Sequence, residues 1–190
     1  MTLLSDNEKQ DLEKQLCDLV KKWFMVSQVS DEGKSIKAQY HIILKKLYQA
    51  GLRDLDVECE LYDWEMPDYY LQYQYDTTPI EILVQQLYDN RLMATQREFL
   101  LFNRAVVRIA NMPHYAHIWS QLFNAFHDDS EYHEVMYGLI HLVESYMDTG
   151  YVQVLVNNTS QLYPHALEWL QTLYMRILNH EPSSLELKSI

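Results

Sequence analysis

Glycine and proline are scarce in this sequence, with four and five residues in 190. Sheet-rich folds turn back often and use both residues to do so, so their scarcity argues against such a fold. Leucine, glutamine, methionine and tyrosine are abundant instead, which predicts an all-α protein of helices joined by short connections. The only cysteines, Cys17 and Cys59, lie far apart and form no C-x-x-C pair, so they are expected as reduced thiols in a cytosol. No run of eighteen apolar residues occurs, and the start MTLLSDNEKQ has no basic stretch leading into an apolar one. Neither a membrane span nor a signal peptide is therefore expected, and the reading is cytoplasmic.

The most informative absence is local. Between Asp54 and Asn90 there is no lysine or arginine, while Asp54, Asp56, Glu58, Glu60, Asp63, Glu65, Asp68, Asp76, Glu81 and Asp89 are all acidic. The formal net charge is −12, so this stretch holds most of it. A field of that sign disfavours nucleic acid and anionic membranes and favours a cationic partner. Interleaved with the acids are Tyr62, Trp64, Tyr69, Tyr70, Tyr73 and Tyr75. Tyrosine and tryptophan supply rigid amphipathic area at protein interfaces, and with carboxylates they suit lysine and arginine through ion pairs and cation–π contacts. The expected partner-binding residues are Asp56, Glu58, Glu60, Asp63, Trp64, Glu65, Asp68, Tyr69, Tyr70, Tyr73, Tyr75 and Asp76. Asp128, Asp129 and Glu131 are next in line. The bland alternative is a solubilising loop whose tyrosines pack at its base.

At this length one domain with a continuous core is expected. Ser5 and Glu8 have capping-box spacing, and Leu12, Leu16, Leu19, Val20 and Trp23 form one helical stripe. The SDEGKS turn separates this helix from a second that ends at Gly51, so residues 1–51 read as a helical hairpin. Residues 52–77 lack a helical period and form the acidic connection; Val57, Cys59 and Leu61 alternate as a short strand would, but Pro67 and the tyrosine cluster argue for a long irregular connection or a short helix. Helical signals resume with Thr78, Pro79 and Glu81, and recur at Thr95 and Glu98. Five further helices are expected near 95–111, 113–126, 130–148, 151–162 and 164–179. The whole is a stack of about seven or eight helices in antiparallel hairpins over 78–180, with 181–190 a polar tail that frays.

Catalytic and metal motifs fail one by one. His133-Glu134 opens like a zinc-protease helix, but the position for its second histidine is Tyr137, and His141 is about 12 Å from His133 at 1.5 Å per residue. No histidine follows a glutamate at three residues, so a di-metal bundle has no ligand set. His114, His117 and His127 could gather an ion only with a third ligand from the fold, and polar histidines near helix ends are the plainer reading. Tyr137, His141 and Glu144 share a helix face and read as a hydrogen-bonded packing cluster, with Arg108 or Arg176 as the partner of Glu144. There is no G-x-S-x-G elbow and no phosphate-cradling loop. No enzyme, no cofactor and no metal are expected.

The run from Glu144 to Asn179 carries a glutamate-bearing helix before a tyrosine, then Pro164, Trp169 and Arg176-Ile177-Leu178-Asn179. In these features it resembles the end of small α-helical immunity proteins of bacterial contact-dependent growth inhibition and polymorphic-toxin systems. The resemblance spans the last third to half of the chain. It implies a cytosolic, non-enzymatic protein that binds a cognate toxin, often a ribonuclease such as an EndoU-type tRNA-cleaving domain, and occludes its basic active-site cleft. The matching residues look structural, so none is carried over as a binding residue. The competing reading is a helical scaffold or adaptor for a basic protein or peptide.

Overall fold

The computed structural model describes residues 4–51, 55–60, 78–113, 116–145 and 150–190. Among these residues there are nine α-helices and no strand, so the fold is all-α as expected. The chain divides into two compact units, Met1–Thr77 and Thr78–Ile190.

In the first unit, α1 (Asp6–Met25) begins with the capping box read from the sequence. The Ser5 hydroxyl accepts from the Glu8 amide, while the Glu8 carboxylate accepts from the Ser5 amide at 2.8 Å. The predicted stripe then places Leu16, Leu19, Val20 and Trp23 against α2 (Asp31–Gln49), which contributes Ile36, Tyr40, Leu44 and Leu47. Each such side chain, fully buried, contributes about 1.5–3 kcal/mol. The turn between the helices closes tightly on Gly33. Its amide donates to the Ser30 hydroxyl at 3.1 Å, and a β-carbon there would lie 2.5 Å from the carbonyl oxygen of Ser27. Gly51 ends the hairpin at φ +95°, a left-handed conformation suited to glycine.

Just beyond, the alternation around Val57 marks no strand: Val57–Cys59 is a 3-10 turn, in keeping with the short-helix reading of the connection. Asp56 makes it, accepting the Glu58 amide on its carboxylate and the Cys59 amide on its carbonyl, both at 2.9 Å. That turn packs on α1 and buries Leu55 and Cys59 in the hairpin core. The cysteines are consequently not free thiols: Cys17 and Cys59 are joined by a disulfide. Separation along the chain concealed a meeting that depends on the return of the segment to α1.

The second unit contains α3 (Ile80–Asp89), α4 (Gln96–Ala110), α5 (Trp119–Asn124), α6 (His133–Glu144), α7 (Tyr151–Leu162), α8 (Leu167–Asn179) and α9 (Glu181–Ser189). The short α5 is its hub, packing on α3, α6 and α7. Leu122, Phe123, Ala125 and Phe126 from its vicinity enter the same core as Phe102, Leu139, Ile140, Val152, Leu155 and Leu173. Thr95 caps α4 through the Glu98 amide as read. At α3 the N-cap is Pro79, with no side-chain cap, so Thr78 does not serve the role expected of it. The single helix expected over 113–126 is instead a 3-10 turn, Ala116–Ile118, running into α5.

The tail also departs from expectation. Residues Glu181–Ser189 form α9, which packs on α7 and α8. Pro182 is pre-organised for a first helical turn, Ser183 is only 2% exposed, and Leu187 reaches the core. One buried face is enough to hold this polar sequence as a helix.

Candidate functional site

Of the expected partner-binding residues, Asp56, Glu58 and Glu60 fall within the described structure. Asp63, Trp64, Glu65, Asp68, Tyr69, Tyr70, Tyr73, Tyr75 and Asp76 lie outside the described residues. Asp56 and Glu58 are exposed on the 3-10 turn, with the Asp56 carboxylate engaged by the Glu58 amide. Glu60 is only 7% exposed and is not part of an open surface. The disulfide and buried Leu55 hold this entry to the acidic segment against α1.

A second acidic region lies in the second unit. Its sequence signal is that no lysine or arginine occurs between Arg108 and Arg176, a longer base-free interval than the first. The connection from Phe126 to Tyr132 is fastened on two sides. On one, the Asp128 carboxylate accepts the Glu168 amide at 3.1 and 3.3 Å, the Asp128 amide donates to the His165 carbonyl at 2.9 Å, and Trp169 Nε1 donates to the His127 carbonyl at 3.0 Å. On the other, the Ser130 hydroxyl donates to the Arg91 carbonyl at 2.6 Å and the Glu131 amide to that of Leu92 at 3.0 Å. Asp128 therefore serves the start of α8, where a carboxylate meets free amides and the positive helix end.

What the clamp leaves outward is acidic and aromatic. Asp129 is 88% exposed on its side chain, and Glu131 and Glu134 are exposed beside it. His133 and Tyr137 place their rings edge-on to Trp169, with centroids 5.3 and 5.5 Å away, and Tyr137 is 45% exposed. His165 lies 5.5 Å from the His127 ring. Burial, then the neighbouring His127 and Arg91, push its pKa below the ordinary 6.5, against the pull of Asp128.

Of the buried cluster expected around Glu144, the ion pair forms and its arginine is Arg176, whereas His141 is 67% exposed and Tyr137 packs on Trp169 instead. The guanidinium grips the carboxylate through Nε and through Nη2, the latter at 2.7 Å, while His141 Nδ1 approaches at 3.3 Å. Burial raises the Glu144 pKa, but the Arg176 hydrogen bonds and charge, helped by His141, outweigh it and leave the value lowered. Burial, with the nearby Glu144 charge, pushes the Tyr151 hydroxyl well above its ordinary range. This arrangement fixes packing between α6 and α8. His117 lies beside Glu81 at 3.5 Å, His114 is outside the described residues, and no group of three potential ligands gathers as a metal site among the described residues. No helix among them is long and apolar enough to cross a membrane.

Comparison with known proteins places the second unit in a family. The family model of immunity protein 30 matches residues 89–187, which takes in α4 to α8, the Asp128 clamp and the Glu144–Arg176 pair. No curated protein and no solved structure matches the chain. Immunity proteins inhibit a cognate toxin and are generally not enzymes. Because the match extends over more than half of its residues, the chain belongs to the immunity protein 30 family, and it is an immunity protein of a polymorphic-toxin type system.

Proposed function

We propose that this immunity protein covers the basic cleft of a nuclease toxin, with a ribonuclease such as an EndoU-type tRNA-cleaving domain as the leading target. The observation that carries this reading is the run of acids and interface-type aromatics over residues 54–76, with no lysine or arginine among them. A nuclease cleft is built to hold phosphates, so carboxylates are the protein groups that match it. The exposed Asp129, Glu131 and Glu134 add the same sign of charge within the family-bearing unit. Steering by such a field carries association towards about 10⁸–10⁹ M⁻¹s⁻¹ at low salt.

The direct test mixes the purified protein with the product of the adjacent toxin gene and follows cleavage of tRNA. Stoichiometric protection is expected. Binding without protection would point to an exosite, and binding of several unrelated basic proteins without protection would favour the adaptor reading. Reversing Asp63, Glu65 and Asp68 to lysine is expected to weaken toxin binding and flatten its salt dependence while leaving the melting temperature nearly unchanged. If affinity is unaltered, the interface lies instead on the Asp129, Glu131 and Glu134 face.

A further inference from the structure

His127 holds the middle of the Phe126–Tyr132 connection by its side chain. The Asp129 amide donates to His127 Nδ1 at 3.1 Å, closing a turn of the kind that an asparagine or aspartate oxygen more often makes. An Nδ1 that accepts carries no hydrogen, so the ring is neutral and its one N–H is at Nε2. The Asp129 carboxylate is near as well, with Oδ2 3.9 Å from the same Nδ1. That is too long for a hydrogen bond, and a neutral Nδ1 has nothing to donate to it. The carboxylate stands in solvent instead, its side chain 88% exposed.

The main chain around the ring has little freedom. The His127 carbonyl accepts from the Ser130 hydroxyl at 2.9 Å, from Trp169 Nε1 at 3.0 Å and from the Ser130 amide at 3.3 Å. What is left to respond to a change of charge is the Asp129 peptide and its side chain. The titratable and charged groups around the ring are Asp128 and Asp129 on the connection, His165 after α7 with its ring centroid 5.5 Å away, and Arg91 after α3. His133 of α6 and Glu168 of α8 stand on the other elements that pack here. Burial, then the charges of His127 and Arg91, disfavour a proton on His165. A proton on His127 Nδ1 would face the Asp129 N–H, donor against donor. The acceptor within reach of it is Asp129 Oδ2, and an imidazolium bonded to a carboxylate is the stronger pair.

We propose that His127 is a proton-operated positioning residue for the acidic face of the second unit. Neutral, its Nδ1 holds the Asp129 amide and leaves the Asp129 carboxylate outward. Protonated from solvent at Nδ1, it releases the amide and takes the carboxylate as its partner, which withdraws one negative charge from the face that Asp129 shares with Glu131 and Glu134. Imidazole is the side chain whose ordinary change of charge lies between about pH 5 and pH 8. The exchange is a property of this chain alone; only its effect on toxin affinity rests on the reading that this face meets a basic partner.

The test is a titration of ¹⁵N,¹³C-labelled full-length protein from about pH 8 to about pH 5, followed at the His127 ring nitrogens, the Asp129 amide and the Asp129 carboxyl carbon. The Nε2–H tautomer is expected at the alkaline end. On acidification the Asp129 amide should move upfield, as an amide losing its acceptor does, together with the carboxyl signal and at the midpoint of the His127 ring. His127→Asn keeps an acceptor oxygen for the amide and takes up no proton, so it should abolish the step, whereas His165→Gln should leave it in place. An Nδ1–H tautomer, an Asp129 amide that ignores the His127 midpoint, a step that survives in His127→Asn, or one lost in His165→Gln would overturn the assignment. If His127→Asn does not fold, the tautomer and the shared midpoint of the wild type decide. Against the toxin, the ratio of wild-type to His127→Asn affinity cancels the toxin's own titration and is expected to fall about two- to fivefold across the same range. A constant ratio with the exchange intact would overturn this face as a toxin contact and not the exchange, so the two fail separately.

Discussion

Glu144 and Arg176 are 32 residues apart in sequence and one hydrogen-bonded pair in space. The pair is partly exposed, so solvent screening limits its worth, and Glu144→Gln is expected to cost about 1 kcal/mol. Differential scanning calorimetry at neutral pH should show a fall of a few degrees. The sign of the pH dependence follows from the lowered pKa. The contribution is present above the unfolded carboxylate value of about 4.5 and is lost as pH falls through the lower folded value. Melting temperatures of the wild type and Glu144→Gln should therefore converge on acidification below pH 4. At Gly33 the constraint is steric instead. Gly33→Ala would push a methyl group into the Ser27 carbonyl and is expected to destabilise the first unit by about 1–3 kcal/mol, measurable by urea unfolding.

Among the elements, the connection from Phe126 to Tyr132 bears the most, because it ties the segment after α3 to the start of α8. Asp128→Ala removes the cap on α8 and is expected to cost about 1 kcal/mol in thermal stability. The same junction is sensitive to acid through His165. Its folded pKa lies below the unfolded value of about 6.5, so its neutral form is favoured in the fold. Stability is full above that value and declines as pH falls from it through the folded pKa. His165→Gln should flatten the loss of melting temperature between pH 7 and pH 5, provided His127, Arg91 and Asp128 remain in place. The helices themselves were legible in the sequence because caps and apolar stripes are local: Ser5 with Glu8, Thr95 with Glu98, and the Leu16 to Trp23 face. The Glu144–Arg176 pair was one of the two arginine pairings the sequence offered, while the burial expected of Tyr137 and His141 is not met. The Asp128 clamp was not legible, because each of its bonds joins residues about forty positions apart. The tail helix was hidden because one buried face overrides its polar local pattern.

For the whole molecule, the consequential property is the placement of charge. Ten acidic residues and no base lie over 54–90, and a second base-free interval runs between Arg108 and Arg176 in the family-bearing unit. Toxin association should accordingly slow steeply as salt is raised, while dissociation changes much less. Stopped-flow measurements at two or more ionic strengths separate the two rates. The family match begins at residue 89, so the α1–α2 hairpin and most of the acidic segment lie before it. Chains that share the matched region but differ before it offer a natural comparison for toxin specificity.

The link between Cys17 and Cys59 makes the hairpin a covalent ring, with a sequence separation of 42. Such closure restricts the unfolded chain and is worth about 4 kcal/mol in a chain-entropy treatment. It also changes what a protease can accomplish. A single cut in the connection between α1 and α2 would open the ring without releasing either piece, so the nicked protein would travel as one band in a non-reducing gel and as two after thiol treatment. An immunity protein cut at that turn would thus keep its amino-terminal helix attached to the start of the acidic segment.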